Sequence, residues 1–560
     1  MKDNKVEYLL SKMIALSGFL VTIAVVTWGV NEPVNAPKML LLGMFSFCVL
    51  FFVIHQRRHL NLHRNPFLLA GLGVFLLSAL ISIFYSESSI VSGFYGIFGR
   101  NTGFLTYACL AILFFSSTLL SSPKSVTLVI NAFFYSGVVN VVYFVFTQFN
   151  IELLAWNNEF DRILGTFGNP NFVGSFMGMF VILCTVLVFK GNQSTFHKIF
   201  LFILIAVSLY EIKMSLAVQG IVITLAGWAI ITFYYLRAKR VSNLVLALYS
   251  VAVSVVGIIS IGGALQKGPL AEIIYKTSVS LRGEYWYAGI QMGLNHPFVG
   301  VGMDSYGSWY RRMRSESSIT LPGPETTSDA AHNVFIDFFA SGGFPLVFAY
   351  LVLTGVVLVQ IFRGLRQSKD FDWIFVALTT MWLAYQAQSL ISINQIGLAI
   401  WGWILSGLII GYVGRENIKI NSNKLIENTT KGRNVSLNQK PVNVNLAAIG
   451  FVIGGLVAGP PMIADAKWHA SLKLLDPVKL ESNSRLSPIE PIRLLQASTI
   501  YTRSGMPSKG LEIAKFATEL FPNNYYAWQV FMNTPGISEN EKIEALKQLR
   551  RLDPLNPAYN

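Results

Sequence analysis

The chain has 560 residues, of which 53% are hydrophobic and 13% charged, and its mean hydropathy is +0.51. Soluble domains carry roughly 25% charged residues, so this composition excludes a soluble globular enzyme, a disordered protein and a nucleic-acid-binding protein. The formal net charge of +14 is then a question of topology, because cytoplasmic loops of membrane proteins collect Lys and Arg. Three cysteines, Cys48, Cys109 and Cys184, lie within apolar runs, which argues against a disulfide framework or a metal cluster.

Thirteen apolar runs approach the length of about 20 residues that a helix needs to cross a bilayer. The first run lacks a cleavage site of small residues, so we interpret it as a retained helix. The sequence therefore predicts an all-α polytopic membrane protein with about 12–13 transmembrane helices. The runs lie at residues 9–30, 38–54, 67–85, 103–120, 126–149, 171–189, 198–212, 217–236, 243–262, 341–362, 373–392, 397–414 and 443–463.

The distribution of Lys and Arg among the loops predicts the orientation. With the N-terminus in the cytoplasm, the inner segments hold twenty Lys and Arg, whereas the short outer loops hold only Lys38, Arg100, Arg162 and Lys213. This contrast is a strong positive-inside signal. An odd number of spans then places the C-terminus on the outer face.

Two long segments fall on that outer face and interrupt the pattern of short connections. The loop at about 263–340 is semi-polar and aromatic, and Ser280 to Asn295 within it has the periodicity of an amphipathic helix. The tail at 464–560 has a soluble composition and alternates helical stretches with Gly, Pro and Asn breaks, which resembles tetratricopeptide (TPR) helix pairs. We therefore expect a membrane domain at 1–463 and a TPR-like tail at 464–560. The alternative for the tail is a small helical cap without partners.

Polar residues at the outer ends of the spans are few enough to consider singly. Arg100, between Gly99 and Gly103, can direct two donors to a phosphate, or it can extend to lipid headgroups. Asn169 and Asn171 surround a proline where the sixth span begins, after Asp161 and Arg162. Asparagine is a good helix cap, so structure explains much of this motif without a function.

The large loop contributes a second arginine and a histidine. Arg282 begins the amphipathic helix, and a salt bridge with Glu284 or Glu272 is its plain structural interpretation. His332 precedes the span at 341–362, where an imidazole with an ordinary pKa of about 6.5 can take up a proton at neutral pH. Its structural alternative is a capping or packing role.

Taken together, these motifs resemble the O-antigen ligase family, which includes O-antigen polymerases and protein O-oligosaccharyltransferases. The matching pieces are Gly99-Arg100-Asn101 with Gly103, Gly168 to Asn171, Arg282 with Trp286 and the later His-Pro-x-x-Gly-x-Gly ending at Gly302, and His332-Asn333 followed by Gly343. The resemblance covers about residues 70–415. The sequence departs from the family in two places: Lys213-Met214-Ser215-Leu216 replaces a Ser-Arg pair, and Gly343-Phe344-Pro345-Leu346 replaces a Gly-x-x-Gly.

The resemblance implies a GT-C-like enzyme of the bacterial inner membrane that moves a glycan from undecaprenyl pyrophosphate to a hydroxyl acceptor at the periplasmic face. Cations would stabilise the leaving pyrophosphate, and the candidates are Arg100, Arg162, Lys213 and Arg282. His332 is the candidate base, with Arg282 as the second catalytic residue. Asn169, Asn171, Tyr285 and Asn333 would shape the site. We expect no cofactor and no metal, since the outer loops show no acidic pair with metal spacing.

The acceptor stays open between lipid A-core, as in lipopolysaccharide biosynthesis, another cell-surface acceptor and a protein. A polymerase and a protein O-oligosaccharyltransferase are the alternatives within the superfamily, and a non-catalytic transporter of polysaccharide or lipid carrier is the alternative outside it. The expected partners are the lipid-linked glycan, the acceptor, the bilayer and a protein bound to the tail, with no nucleic acid. Transporters usually place polar residues near the bilayer midplane. Here they collect at the outer ends of helices, which favours an enzyme.

Overall fold

The structure is a computed structural model, and it describes residues 5–60, 65–154, 163–191, 193–264, 266–269, 271–274, 277–367, 370–429 and 444–559. Within these ranges the chain is helical, with no strand. The helices are α1 (Lys5–Ile23), α2 (Asn35–Gln56), α3 (Pro66–Tyr85), α4 (Ile90–Tyr95), α5 (Phe104–Ser117), α6 (Pro123–Gln148), α7 (Pro170–Val188), α8 (Thr195–Ser215), α9 (Val218–Ala238), α10 (Asn243–Ala264), α11 (Ala271–Ile274), α12 (Thr277–Asn295), α13 (Tyr306–Met313), α14 (Ser317–Thr320), α15 (Val334–Gln367), α16 (Trp373–Ser389), α17 (Ile396–Thr429), α18 (Asn445–Ala458), α19 (Pro460–Leu474), α20 (Pro477–Ser484), α21 (Pro491–Arg503), α22 (Pro507–Leu520), α23 (Tyr525–Asn533) and α24 (Glu539–Leu552).

Every predicted apolar run coincides with a helix. Within the described residues, ten helices are long and apolar enough to cross a membrane, and α18 with α19, bent by 49°, makes an eleventh if the pair counts as one span. Two predicted spans are shorter, because α5 has 14 residues and α16 has 17. The chain is therefore a multi-pass membrane protein. Its three cysteines are free, as the sequence predicts.

Contacts between connecting segments define two faces of the bundle. The face that carries the large loop, here called the loop face, also carries the start of α2, because Asn35 Nδ2 donates to Gly99 O at 2.7 Å and the neighbouring Arg100 donates to Asp329 O in the loop at 3.2 Å. The α1–α2 connection that precedes it contacts α19, since the carboxylate of Asp465 accepts from the backbone N–H of Asn31 at 2.8 Å and of Glu32 at 2.9 Å. On the same face, Asn333 Nδ2 donates to the carbonyl of Leu390 at 3.0 Å. The segments after α1, α16 and α18 thus lie together.

The opposite face carries the start of α1 and the end of α5. Glu7 Oε1 accepts from the backbone N–H groups of Ser121 at 2.8 Å and Ser122 at 2.7 Å. Asp372, at the start of α16, pairs with Arg415 at 3.1 Å. Because α5 and α16 each begin on one face and end on the other, both run across the bundle despite their length. The assignment of the opposite face to the cytoplasm stays a prediction from charge.

Lys38, counted above among the cations of the outer loops, is a buried residue of α2. Its ammonium donates to three carbonyls at the end of α1, those of Thr22 at 2.6 Å, Ala24 at 3.0 Å and Val21 at 3.1 Å. The last carbonyls of a helix lack partners within the helix, and a cation is favourable beside them. Lys38 therefore stabilises a helix end and is not available to a ligand.

Helix α15 breaks where the loop motif of His, Pro and Gly meets it. Gly343 has a φ of +65°, a conformation that only glycine adopts at low cost. The break frees carbonyls, and the loop uses them: Val301 N donates to Ala340 O at 2.8 Å and Gly302 N to Ser341 O at 3.1 Å. The helix begins at Val334, seven residues before the predicted span at 341–362. Its turns before the break lie on the loop face.

The tail is a run of short helices from α19 to α24, in which consecutive helices pack on one another. The sequence indicates helical stretches at 507–520, 525–532 and 538–552, which coincide with α22 to α24, and at 498–504, which overlaps only the end of α21. Apolar residues such as Leu494, Ile513 and Ala517 form a core that is separate from the core of the bundle. The assignment to tetratricopeptide repeats stays a prediction, and the predicted boundary at 463 falls within α19.

Candidate active site

Arg100 lies in the turn between α4 and α5 that the glycine-rich motif forms. Gly99 and Asn101 have φ values of +84° and +55°, so the chain adopts left-handed conformations on both sides of the arginine. Arg100 Nη1 donates to the carbonyl of Asp329 at 3.2 Å, and its Nε lies 4.0 Å from Asp329 Oδ2. Asn35 Nδ2 donates to Gly99 O at 2.7 Å. The turn is thus held between α2 and the large loop.

Asp304 joins this turn to the large loop. Its carboxylate accepts from the backbone N–H of Ile97 at 2.9 Å and from the backbone N–H and hydroxyl of Thr102 at 3.3 and 3.1 Å. Burial raises the pKa of Asp304, and the charge of Arg100 and these hydrogen bonds oppose that shift. Because it accepts three hydrogen bonds from one turn, the carboxylate of Asp304 fixes the backbone next to Arg100.

His332 lies at the end of the large loop, two residues before α15 begins. Its φ of +54° is a left-handed conformation that costs a non-glycine residue about 1–2 kcal/mol. The imidazole lies against the ring of Tyr285, with 5.6 Å between ring centroids and 31° between ring planes. In the described part of the chain no hydrogen bond involves the imidazole, so its nitrogens are available to a ligand.

Arg282 and Tyr285 lie one turn apart on α12. Neither salt bridge predicted for Arg282, with Glu284 or with Glu272, occurs among the ion pairs of the described residues, and the carboxylate of Glu284 instead accepts from the hydroxyls of Ser315 and Ser317. Among the described residues Arg282 has no ion pair and no hydrogen bond. Burial lowers the pKa of Arg282, but arginine remains cationic at neutral pH because its ordinary pKa is so high. A partly buried, unpaired cation is a candidate anion ligand.

The surroundings of His332, including the two arginines, lower the pKa of its imidazole. Burial, and then the charges of Arg100 and Arg282, lower the pKa of His332 from 6.5 to about 3. Three elements distant in sequence, the α4–α5 turn, α12 and the start of α15, therefore bring their candidate residues together. The imidazole is neutral at physiological pH and can accept a proton.

A pocket with about 400 Å³ of empty space adjoins this cluster on the loop face. Arg100 lines it together with three carboxylates, Asp304, Asp329 and Asp337. The sequence interpretation treats Asp304 and Asp329 as isolated and gives Asp337 no role. The signal for Asp337 was its spacing, since a residue four positions after Asn333 lies one helical turn further along α15. Its Oδ1 accepts from the backbone N–H of Ala331 at 2.7 Å.

Asn333 caps α15. Its Oδ1 accepts from the backbone N–H groups of Phe335 at 3.0 Å and Ile336 at 3.2 Å, the arrangement typical of an asparagine N-cap. Its Nδ2 donates to Leu390 O on the neighbouring connection. The cap fixes the backbone next to His332, and a site-shaping role for Asn333 stays a prediction.

Asn169, Asn171 and Lys213 form a second group, at the loop-face ends of α7 and α8. Asn169 Oδ1 caps α7 by accepting from Asn171 N at 2.9 Å, and the carbonyl of Asn171 accepts from Gln219 on α9. Lys213 is exposed in the last turn of α8. Among the described residues no contact joins this group to Arg100, Arg282 or His332. Arg162 lies outside the described residues.

Within the described ranges, no group of three His, Cys, Asp or Glu side chains has the arrangement of a metal site. The three aspartates that line the pocket are engaged otherwise: Asp304 by the turn, Asp329 by Arg100 and Asp337 by Ala331. The cations available to a ligand's negative charge in this cluster are thus the two arginines.

Fold and site together define the class of the protein: a polytopic helical membrane protein in which two arginines and a histidine cluster beside a polar pocket at one end of the bundle. Residues 173–351 match the family model described as O-Antigen ligase, which confirms the resemblance to the O-antigen ligase family. The matched segment contains Arg282, Tyr285, His332 and Lys213, whereas Arg100 precedes it. Members of this family are membrane glycosyltransferase-like ligases. A search of the curated proteins finds no significant match.

Proposed function

We propose that the chain transfers a glycan from a lipid-linked pyrophosphate donor, undecaprenyl pyrophosphate, to a hydroxyl acceptor at the periplasmic face of the inner membrane. The observation that carries the proposal is that the ring of His332 lies against the ring of Tyr285 on α12, near enough to Arg100 and Arg282 for both charges to add to the effect of burial on its pKa. The acceptor oxygen attacks the anomeric carbon, the bond from that carbon to the pyrophosphate oxygen breaks, and the acceptor's proton passes to His332.

In this mechanism the arginines stabilise the pyrophosphate leaving group. Negative charge grows on the pyrophosphate oxygen as the bond breaks, and preorganised cations stabilise that charge in the transition state. Among the residues that the structure describes, Arg282 has no ion pair, and the ion-pair partner of Arg100 is Asp329 at 4.0 Å. Both can therefore turn donors toward phosphate oxygens at little cost. Arg162 and Lys213 remain proposed as further pyrophosphate ligands.

Donor binding also prepares the base. Without the donor, burial and then the two guanidinium charges lower the pKa of His332, which makes the imidazole a weak base. A bound pyrophosphate neutralises much of that positive field, so the pKa of His332 rises. The histidine becomes an effective base only when the donor is in place, which disfavours proton transfer without a substrate.

The experiment supplies purified protein with a lipid-linked glycan and one of three acceptors: lipid A-core, a protein extract or no added acceptor. We expect sugar to appear on lipid A-core. Transfer to protein would instead identify an O-oligosaccharyltransferase, and growth of the lipid-linked glycan itself would identify a polymerase. A protein that leaves the donor intact but moves it between leaflets of a vesicle would be the non-catalytic transporter, and the proposal of transfer would be wrong.

A further inference from the structure

A buried ion-pair cluster attaches the last tail helix to the large loop. Asp553, after α24, lies 2.8 Å from Arg311 Nη1 and 2.6 Å from Arg314 Nη2, and the side chains of Asp553 and Arg314 are fully buried. Charges leave water only where partners compensate them. This contact is therefore an interface that forms in the folded protein, and it differs from the exposed pairs on the tail surface.

The same arginines organise the large loop. Arg311 donates to the carbonyls of Pro324 at 2.9 Å and Glu325 at 3.0 Å, and Arg314 donates to Pro324 O at 2.8 Å. The guanidinium of Arg311 also lies over the ring of Tyr525, 4.2 Å from its centroid. Asp553 thus supplies the charge that holds α13 and the 322–325 segment together.

Helix α13 in turn contacts the residues beside the candidate base. The hydroxyl of Tyr306 donates to the backbone carbonyl of Tyr285, and the ring of Tyr310 packs edge-on against the ring of Tyr285, with 5.7 Å between centroids. Tyr285 is the residue whose ring lies against His332. A continuous chain of contacts therefore leads from Asp553 through α13 and α12 to the imidazole.

A second tail residue reaches the other side of the site. Glu490, before α21, is 6% exposed and accepts from the backbone N–H of Phe98, two residues before Arg100. The tail therefore touches both the turn that carries Arg100 and the loop that carries His332.

We propose that the C-terminal tail is a structural part of the transferase site, in which Asp553 acts through Arg311 and Arg314 as a positioning residue for Tyr285 and His332. This inference rests on the transfer function proposed above. It differs from the view of the tail as a separate docking module, because the residues that join tail and loop are buried and lie behind the site. Supporting groups of this kind hold the groups that contact a substrate in their working geometry.

The test compares two variants of the full-length protein. Asp553→Asn keeps the volume of the side chain and removes the charge that the two arginines share. Leu494→Ala is the matched control, because Leu494 is fully buried in the tail's own core and its truncation weakens the tail without touching the loop. The first readout is carbethoxylation of His332 by diethylpyrocarbonate, followed by mass spectrometry, which needs no substrate. The second is the rate of glycan transfer at saturating donor.

We expect Asp553→Asn to raise the carbethoxylation rate of His332 several-fold, because the ring of Tyr285 no longer covers the imidazole, and to lower the transfer rate at least tenfold. Leu494→Ala should leave both close to wild type at a temperature where the protein is folded. Equal carbethoxylation rates in wild type and Asp553→Asn, or an equal increase in both variants, would overturn the positioning role. If wild-type protein transfers no glycan, the proposed function fails, while the carbethoxylation result still decides this proposal.

Discussion

The imidazole of His332 lies against the ring of Tyr285, 5.6 Å between centroids, although 46 residues of sequence separate the two positions. Tyr285 projects from the helix that also carries Arg282, so the stacking contact fixes the candidate base relative to a candidate pyrophosphate ligand. Replacing either partner should therefore change the chemistry without removing a buried residue of the bundle.

His332→Gln should lower the rate of glycan transfer by about 10² to 10⁴-fold, the usual contribution of a general base. Glutamine keeps a polar side chain of similar size and cannot take up the acceptor's proton. The measurement is transfer at saturating donor and acceptor, with binding of the donor followed separately. A variant that binds donor normally and transfers at the wild-type rate would show that another group is the base.

Arg282→Lys should weaken transfer more than a loss of charge would explain, because lysine keeps the charge and loses the planar fork that contacts two phosphate oxygens. We expect a fall of about tenfold or more in kcat/KM. Arg503→Lys, on the exposed end of α21, is the matched control and should behave as wild type. Equal activity in both variants would remove Arg282 from the site.

The pH dependence of kcat/KM should show no acid limb near 6.5. Because the folded pKa of His332 is lowered to about 3, the imidazole of the free enzyme is already deprotonated across the range from roughly pH 5 to 8. Burial is the largest cause of the shift and the charge of Arg100 adds to it, so Arg100→Ala should move the acid limb of the profile toward higher pH. A wild-type limb at 6.5, unchanged in the variant, would contradict this account.

Glu490 should make the protein less stable as pH rises. Burial raises the pKa of its carboxyl from 4.5 to about 8, so between these values the folded state holds a proton that the unfolded state has lost. Its contribution is complete below 4.5 and is lost as pH rises through about 8, at about 1.4 kcal/mol per pKa unit. Melting temperatures should therefore fall over this window. The slope should flatten in Glu490→Gln and persist in Glu539→Gln, whose carboxylate is 81% exposed.

Asn333→Asp should retain the cap of α15, since the carboxylate can still accept from Phe335 and Ile336, and should lose the donor to Leu390. Asn333→Ala should lose both and cost about 1 kcal/mol for the cap alone. Asn65→Ala, which removes the comparable cap of α3 on the opposite face, is the control. We expect Asn333→Ala to lose more stability than Asn65→Ala, because it also loses the hydrogen bond to Leu390, and we expect a loss of transfer only at Asn333, measured on folded protein.

Removal of divalent metals should leave transfer unchanged, because the arginines are expected to stabilise the pyrophosphate. The measurement is the transfer rate of protein treated with EDTA, with and without added Mg²⁺ or Mn²⁺. Activity that disappears with the chelator and returns with either metal would require a cation in the mechanism.

Hydropathy and helical periodicity are local properties, so the sequence by itself determined the helical class, the position of every apolar run and the tail helices α22 to α24. It also singled out Arg100, Arg282 and His332 from their cost at a membrane surface and from the order of the motifs. Lys38 shows the limit of this reasoning. A lysine next to an outer loop has the same sequence pattern when it binds a ligand and when it caps a neighbouring helix.

Only the tertiary structure decided which of the scattered polar residues meet. It placed Asn169, Asn171 and Lys213 at the ends of α7 and α8, brought Asp337 to the pocket with Arg100 and joined Arg311 to Asp553 across 242 residues of sequence. Such contacts depend on how the helices pack, and packing is set by the summed burial of many side chains. No single stretch of sequence determines this packing. The sequence therefore indicates the candidate residues, and the fold decides which of them lie in one site.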